Sequence, residues 1–320
     1  MVRQRTLNKK FSLRGKGLHT GQKVHITFHP APEHFGYKIR RIDLPGRPVI
    51  TASAENVRST DRGTVLSDGD VRVGTVEHGL AALYGCGIDN CLIDVNAPEF
   101  PILDGSSIEF VNRIRQAGIR RQFAKRDYYI PKNRIEYRDE QSGAYLSLIP
   151  SDTFKIHTQI CFDSDVLNVQ SASLTDLSEF PDQIAMCRTF VFIKEIEPLL
   201  QNGLIKGGDL DNAIVIYDTP IPQEQFDRLA DMMHVKRKNS SDLGYIMNTP
   251  LRFANEPARH KILDIIGDLS LSGKFIKGTI IAVRPGHRVN TGLARVILDD
   301  IRLTHAQNNR DTYPLKSKIV

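Results

Sequence analysis

Apolar and polar residues alternate through Val24-His25-Ile26-Thr27-Phe28, which predicts a strand with one buried face. Pro30, Pro32 and Gly36 interrupt the chain after it. Across residues 75–83 the period lengthens: Val76, Leu80 and Leu83 recur at helical spacing, and Gly85 and Gly87 stop the run. Cys91-Leu92-Ile93-Asp94-Val95 returns to a strand, and residues 96–101, with Pro98 and Pro101, are turn-rich. Asp104-Gly105-Ser106-Ser107 then opens a helix whose apolar side is Ile108, Phe110, Val111 and Ile114, with Gly118 near its end.

Residues 120–132 are charged and contain Pro131, and they predict a boundary between two domains, 1–125 and 126–320. Beyond it, residues 145–149 and 154–162 read as strands, the second with Ile156, Thr158, Ile160 and Phe162 on one face. Residues 188–211 are less regular, and residues 213–217 form a short, nearly continuous apolar strand. Pro257 introduces a long helix that ends near Gly273; a strand over 279–283 and a last helix from about Thr291 follow. No short-period repeat or low-complexity tract is present. Strands and helices mixed in two halves predict an α+β protein.

Composition narrows the class. Apolar residues make up 40% of 320, enough for substantial cores. The formal charge of +6 is mild, and its densest cluster is Lys236-Arg237-Lys238; it suits a phosphate-bearing small molecule or a solvated face equally well. No basic motif interleaved with aromatics stands out along the chain, so nucleic acid is not an expected partner. Cys86, Cys91, Cys161 and Cys187 form no C-x-x-C pair and read as reduced, buried thiols of a cytoplasmic protein. No leader and no run of about 18 apolar residues appears, so no membrane span is expected.

Three short segments carry chemistry. In His260-Lys261-Ile262-Leu263-Asp264 an imidazole and a carboxylate stand four apart, on one helix face; they can share a divalent metal or simply bond to each other. Glu77-His78, at a helix start, offers a third ligand in His78 and a proton acceptor in Glu77, or else a surface charge beside a core histidine. Two His and one carboxylate match the inventory of catalytic zinc, which keeps a position open for water. His287, in the Pro285-Gly286 loop, can protonate a leaving group or stabilise an oxyanion, with Asp268 to orient it; a solvated surface histidine is the alternative.

In order and approximate spacing, Gly17-Leu18-His19-Thr20-Gly21, Thr75-Val76-Glu77-His78, Gly87-Ile88-Asp89-Asn90, Asn96-Ala97-Pro98-Glu99, Asp104-Gly105-Ser106, Arg188-Thr189-Phe190, Gly207-Gly208, His260-Lys261-Ile262-Leu263-Asp264 and Gly286-His287 resemble the UDP-3-O-acyl-N-acetylglucosamine deacetylases of lipid A synthesis. The resemblance runs from about Gln4 to about Asn290. It implies two α+β domains of similar topology, helices between two sheets and an active site at the junction. It further implies zinc on His78, His260 and Asp264, with iron(II) as another metal that such a set accommodates. By the same resemblance Glu77 is the general base and His287 the cationic acid and oxyanion partner, with Asp268 behind it. Thr189 bonds near the tetrahedral intermediate, Lys261 and Phe190 contact substrate, and Phe162 stacks on uracil. Residues 191–205, rich in Val, Ile, Leu and Phe, suit an acyl passage or a buried helix.

Two departures stand out. Gln141-Ser142-Gly143-Ala144 replaces a stretch where some relatives place a lysine near the nucleotide, and Gly63 stands where some carry a cysteine. The expected partner is the acylated UDP-sugar alone, met by a monomer; a non-catalytic binder of UDP-sugar or acyl ligands is the alternative to the deacetylase. In some bacteria a dehydratase is fused after this enzyme, and nothing within the 320 residues suggests a second activity.

Overall fold

The computed structural model describes residues 2–232, 237 and 239–312. Two five-stranded sheets form its frame, and both are wired alike. The first runs Phe11–Lys16, Lys23–Pro30, Cys91–Val95, Tyr37–Arg41, Val49–Thr51. The second runs Ile135–Asp139, Ala144–Ile149, Gly278–Val283, Phe154–Cys161, Val169–Leu174. In each, two hairpins flank a central strand that arrives last. That strand pairs antiparallel with the first hairpin and parallel with the second. Inward faces alternate as the sequence pattern requires: Val24, Ile26 and Phe28 in one sheet, Ile156, Thr158 and Ile160 in the other, are buried.

The helices, numbered in chain order, are α1 (Glu77–Gly85), α2 (Ile108–Ala117), α3 (Phe180–Gln183), α4 (Ile193–Gln201), α5 (Gln223–Met232), α6 (Glu256–Leu269) and α7 (His287–Thr312). In each half a helix leads into the central strand and another leaves it: α1 then α2, α6 then α7. The leading helices α1 and α6 pack on each other inside one continuous core. Every residue of α1 is buried, so its apolar character is not confined to one face. The approach is close enough that a Cβ on Gly267 of α6 would lie 2.2 Å from the Glu77 carbonyl oxygen. Only a residue without a side chain fits there.

Each half carries an insert before its leading helix. The first is a small sheet of Val57–Ser59, Val65–Asp68 and Val71–Val73. The second is a sheet of Phe190–Phe192, Ile214–Tyr217 and Gly244–Ile246 with α4 and α5, built on its own apolar cluster around Ile193, Ile196, Val215 and Phe226.

Several elements differ from the sequence pattern. Helix α1 starts at Glu77, not Thr75, because Thr75 sits in the left-handed region at φ 53°. Helix α7 starts at His287, four residues before Thr291, so His287 is a helix-start residue and not a loop residue. Its first turn is polar and hides from a search for apolar periodicity; the Thr291 hydroxyl donates back to the His287 carbonyl at 2.7 Å. Within the charged stretch at 120–132, Ile119–Lys125 forms a strand that pairs antiparallel with Arg3–Leu7. Residues 188–211 hold a strand and α4. Cys161 is exposed and Cys86 half-buried; only Cys91 and Cys187 are buried thiols. Of the densest basic cluster, Lys236 and Lys238 lie outside the described residues, and Arg237 pairs with Asp231 at 2.6 Å. Among the described residues no helix is long and apolar enough to cross a membrane.

The α1–α6 contact makes a direct prediction. In Gly267→Ala the added methyl must push α6 off α1, at a cost of about 1–3 kcal/mol or more. The melting temperature, read by circular dichroism, is expected to fall by roughly 2–5 °C; an unchanged value would show that the helices are not in contact there.

Candidate active site

The first turn of α1 and the inward face of α6 supply most of the site. Glu77 and His78 open α1. His260, Asp264 and Asp268 follow one another at every fourth residue of α6 and therefore project from one face. All five are nearly inaccessible to solvent.

His78, His260 and Asp264 converge: each offers one ligand atom, and these atoms lie within 4.8 Å of one another. The Nε2 atoms of His260 and His78 stand 3.3 and 3.9 Å from the same oxygen, Oδ1 of Asp264. His260 Nδ1 donates to the Cys187 carbonyl at 3.0 Å, which leaves Nε2 as the free lone pair. Asp264 Oδ2 accepts from Lys261 Nζ at 2.9 Å. Its Oδ1, although buried, has no hydrogen-bond partner, and neither has His78 Nδ1. A carboxylate oxygen orphaned in this way is costly to bury, and a cation between the three residues removes that cost.

The protonation states agree. Burial, then His260, push the His78 imidazolium down to about 3, and burial also lowers His260. Burial pushes the Asp264 carboxyl up, but His260 and Lys261 hold it well below the usual carboxylate range. At neutral pH the set is two neutral imidazoles and a carboxylate, the form in which these residues bind a divalent metal.

A second cluster adjoins it. Glu77 Oε1 lies 3.7 Å from His287 Nε2, and His287 Nδ1 donates to Asp268 Oδ2 at 2.9 Å. Asp268 also accepts from the Thr64 hydroxyl at 2.5 Å and the Asn290 amide at 2.9 Å. Glu77 Oε2 accepts from the Thr64 backbone N–H at 3.1 Å. Burial raises the Glu77 carboxyl to about 7, against the pull of the nearby His287. For His287 burial acts downward, but Asp268, then Asp264 and Glu77, raise it to about 10. That cation sits at a helix N-terminus, where the dipole disfavours it; three carboxylates outweigh the dipole. The result is a proton acceptor poised near neutrality beside a donor that stays charged.

Thr189, Phe190 and Lys261 line the same cavity, of about 390 Å³, as Glu77, His78, Asp264 and His287. Its far side carries Ser142, Arg284 and Arg288. Phe162 does not line it. Its ring packs against Phe190 and Phe192 (centroids 5.8 and 5.0 Å) and borders an adjoining hollow with Arg62 and Pro285. A third space, of about 230 Å³, opens beside Thr189 and Phe190 between Leu18, Val191, Ile196, Leu199 and Ile205.

Several supporting residues escape a search by motif. Thr64 reaches Asp268 across 204 positions, so no local spacing signals it. Arg188 stands in a quoted motif, yet its part is structural. It is buried against Glu256 at 2.9 Å, donates to Thr249 and Pro250 carbonyls, and so ties the Thr189-Phe190 segment to the start of α6. Glu99 accepts from Thr75, Thr20 and the His19 backbone, joining three of the quoted motifs in one cluster.

Comparison with known proteins shows the family. The family model for UDP-3-O-acyl N-acetylglycosamine deacetylase matches residues 4–234 and 240–299. A "bifunctional enzyme LpxC/FabZ" of Porphyromonas gingivalis is 57% identical over 96% of this chain and 66% of its own length. The protein of the same name from Bacteroides thetaiotaomicron is 55% identical over 96% of this chain and 67% of its own. The chain thus spans about two thirds of the length of these relatives. A "UDP-3-O-acyl-N-acetylglucosamine deacetylase" of Teredinibacter turnerae is 39% identical over 93% of the chain and 91% of its own length. On this match, the chain belongs to the UDP-3-O-acyl-N-acetylglucosamine deacetylase family.

Proposed function

We propose that this chain hydrolyses the N-acetyl group of a UDP-3-O-(3-hydroxyacyl)-N-acetylglucosamine and releases acetate, the committed step of lipid A synthesis. The observation that carries the reading is the juxtaposition of the His78–His260–Asp264 set with the Glu77–His287 pair in one cavity. His78, His260 and Asp264 hold the metal, zinc in this reading, with iron(II) able to occupy the same donors. When bound, the metal polarises the amide carbonyl and lowers the pKa of a water towards about 7.

The chain's own groups do the rest. Glu77, ionised above about 7, takes a proton from the attacking water. His287 enters as an imidazolium, faces the negative charge that develops on the carbonyl oxygen, and gives its proton to the leaving nitrogen as the carbon–nitrogen bond breaks. Asp268 fixes its tautomer and orientation through Nδ1. Thr189 is held at the cavity wall by its backbone N–H, 2.8 Å from the Gly105 carbonyl, and bonds near the tetrahedral centre. Lys261 and Phe190 contact the sugar, and the apolar space beside them takes the acyl chain. Arg284 and Arg288 supply positive charge for the diphosphate, and Phe162 packs near the uracil. Domains 1–125 and 126–320, a monomeric state and a cytoplasmic location complete the reading; the repeated sheet wiring supports the two domains.

Purified protein stripped of metal is expected to release no acetate from this substrate, and to regain release when zinc is restored. No release under any metal, over several acyl lengths, would overturn the reading. His78→Ala is expected to weaken zinc at least about 100-fold in a competition titration; stoichiometric retention would remove His78 from the ligand set.

A further inference from the structure

The ribbon of Arg3–Leu7 and Ile119–Lys125 lies apart from the active site, against Asp89 and Asn90 beyond the C-terminal end of α1. Its inner side is pinned. Gln4 and Gln122 bond to Asn90, and the Thr6 hydroxyl donates to the Asn90 carbonyl at 2.7 Å. Its outer side is unusual in two respects. Phe123 is 92% exposed, with Ile119 and Val2 each at 40%. On that side stand Arg3, Arg121 and Lys125, with Arg5 half-buried against Gly87; Arg120 stands opposite Thr6, on the side that faces Asn90, and neither strand contains a carboxylate.

The register sharpens the point. Arg3 stands directly opposite Lys125, and Arg5 opposite Arg121. Like charges across a strand pair destabilise it. Among the described residues none of these five cations has an ion-pair partner. Two carboxylates reach the ribbon and bond its backbone, not its cations: Glu33 accepts from the Phe123 and Ala124 N–H groups, and Asp89 accepts from the Arg5 N–H while pairing with Arg126. Arg120, Arg121 and Lys125 stand close together along the chain around Phe123, and strand pairing brings Arg3 and Arg5 to them from more than 110 residues away.

We infer that this ribbon is a docking surface for an anionic lipid bilayer, with Phe123 entering the headgroup region and Arg3, Arg121 and Lys125 pairing with lipid phosphates. A rigid, exposed strip that needs negative charge and offers an aromatic ring matches such an interface. Ile119 and Val2 favour the bilayer over nucleic acid, since aliphatic side chains have no stacking role on bases but bury well among acyl chains. The inference does not depend on the reaction at the metal set.

The test is co-sedimentation of the whole chain with vesicles of phosphatidylcholine alone or mixed with phosphatidylglycerol. Binding is expected only to the mixed vesicles and to fall as salt rises. Each cation contributes about fivefold, so Arg121→Glu with Lys125→Glu weakens binding at least about 25-fold. Phe123→Ser weakens it about tenfold, and neither variant changes the melting temperature or deacetylation of a dispersed substrate. Equal binding by the variants, equal binding to both vesicle types, or no binding at all would overturn the proposal. So would self-association or DNA binding abolished by Phe123→Ser while vesicle binding is absent.

Discussion

The contact between α1 and α6 is the constraint on which the site depends. The two helices belong to different halves of the chain, and each carries part of the candidate site: Glu77 and His78 on one, His260, Asp264 and Asp268 on the other. Gly267 lets them approach until its Cα lies under the Glu77 backbone. A wider separation would leave a carboxylate and two imidazoles buried with nothing to share. The repeated sheet wiring follows from the same requirement: each sheet backs one helix and presses it against the other.

Burial of charge is tolerated here because each charge is given a partner. Asp268 is completely buried and accepts from His287, Thr64 and Asn290. That arrangement keeps His287 cationic, and the cation keeps Glu77 from rising further than it does. The same burial that lifts Glu77 depresses His78 and His260. One dry pocket thus produces neutral ligands, a weakened acid and a strengthened cation, with the sign in each case set by nearby charges.

Local pattern made much of the fold legible. The alternation at 24–28, the glycine stops after α1 and the four-residue spacing of His260 and Asp264 all rest on periodicities that the backbone imposes. The assembly of the site was legible only through resemblance, because Glu77 and His287 meet across 210 positions and no spacing rule reaches that far. Thr64 and the Cys187 carbonyl were invisible for the same reason: one is a common residue and the other a backbone atom. The start of α7 was missed because its first turn is held by polar bonds and not by an apolar stripe. The basic stretch around Phe123 is visible in the sequence, but that Phe123 is exposed and that Arg3 joins the cluster follow only from the paired strands.

The opposed tuning of Glu77 and His287 is the centre of the account, and the pH dependence of kcat/KM tests it most directly. Glu77 must have lost its proton and His287 must keep its own, so activity should fall on the acid side and again on the alkaline side; a bound divalent cation moves both limbs below the values of about 7 and about 10 that the residues set among themselves. In His287→Gln the rate should drop by about 10²–10⁴, the alkaline limb should vanish and the acid limb should remain. An alkaline limb unchanged in the variant would contradict the account, since another group would then be supplying the proton.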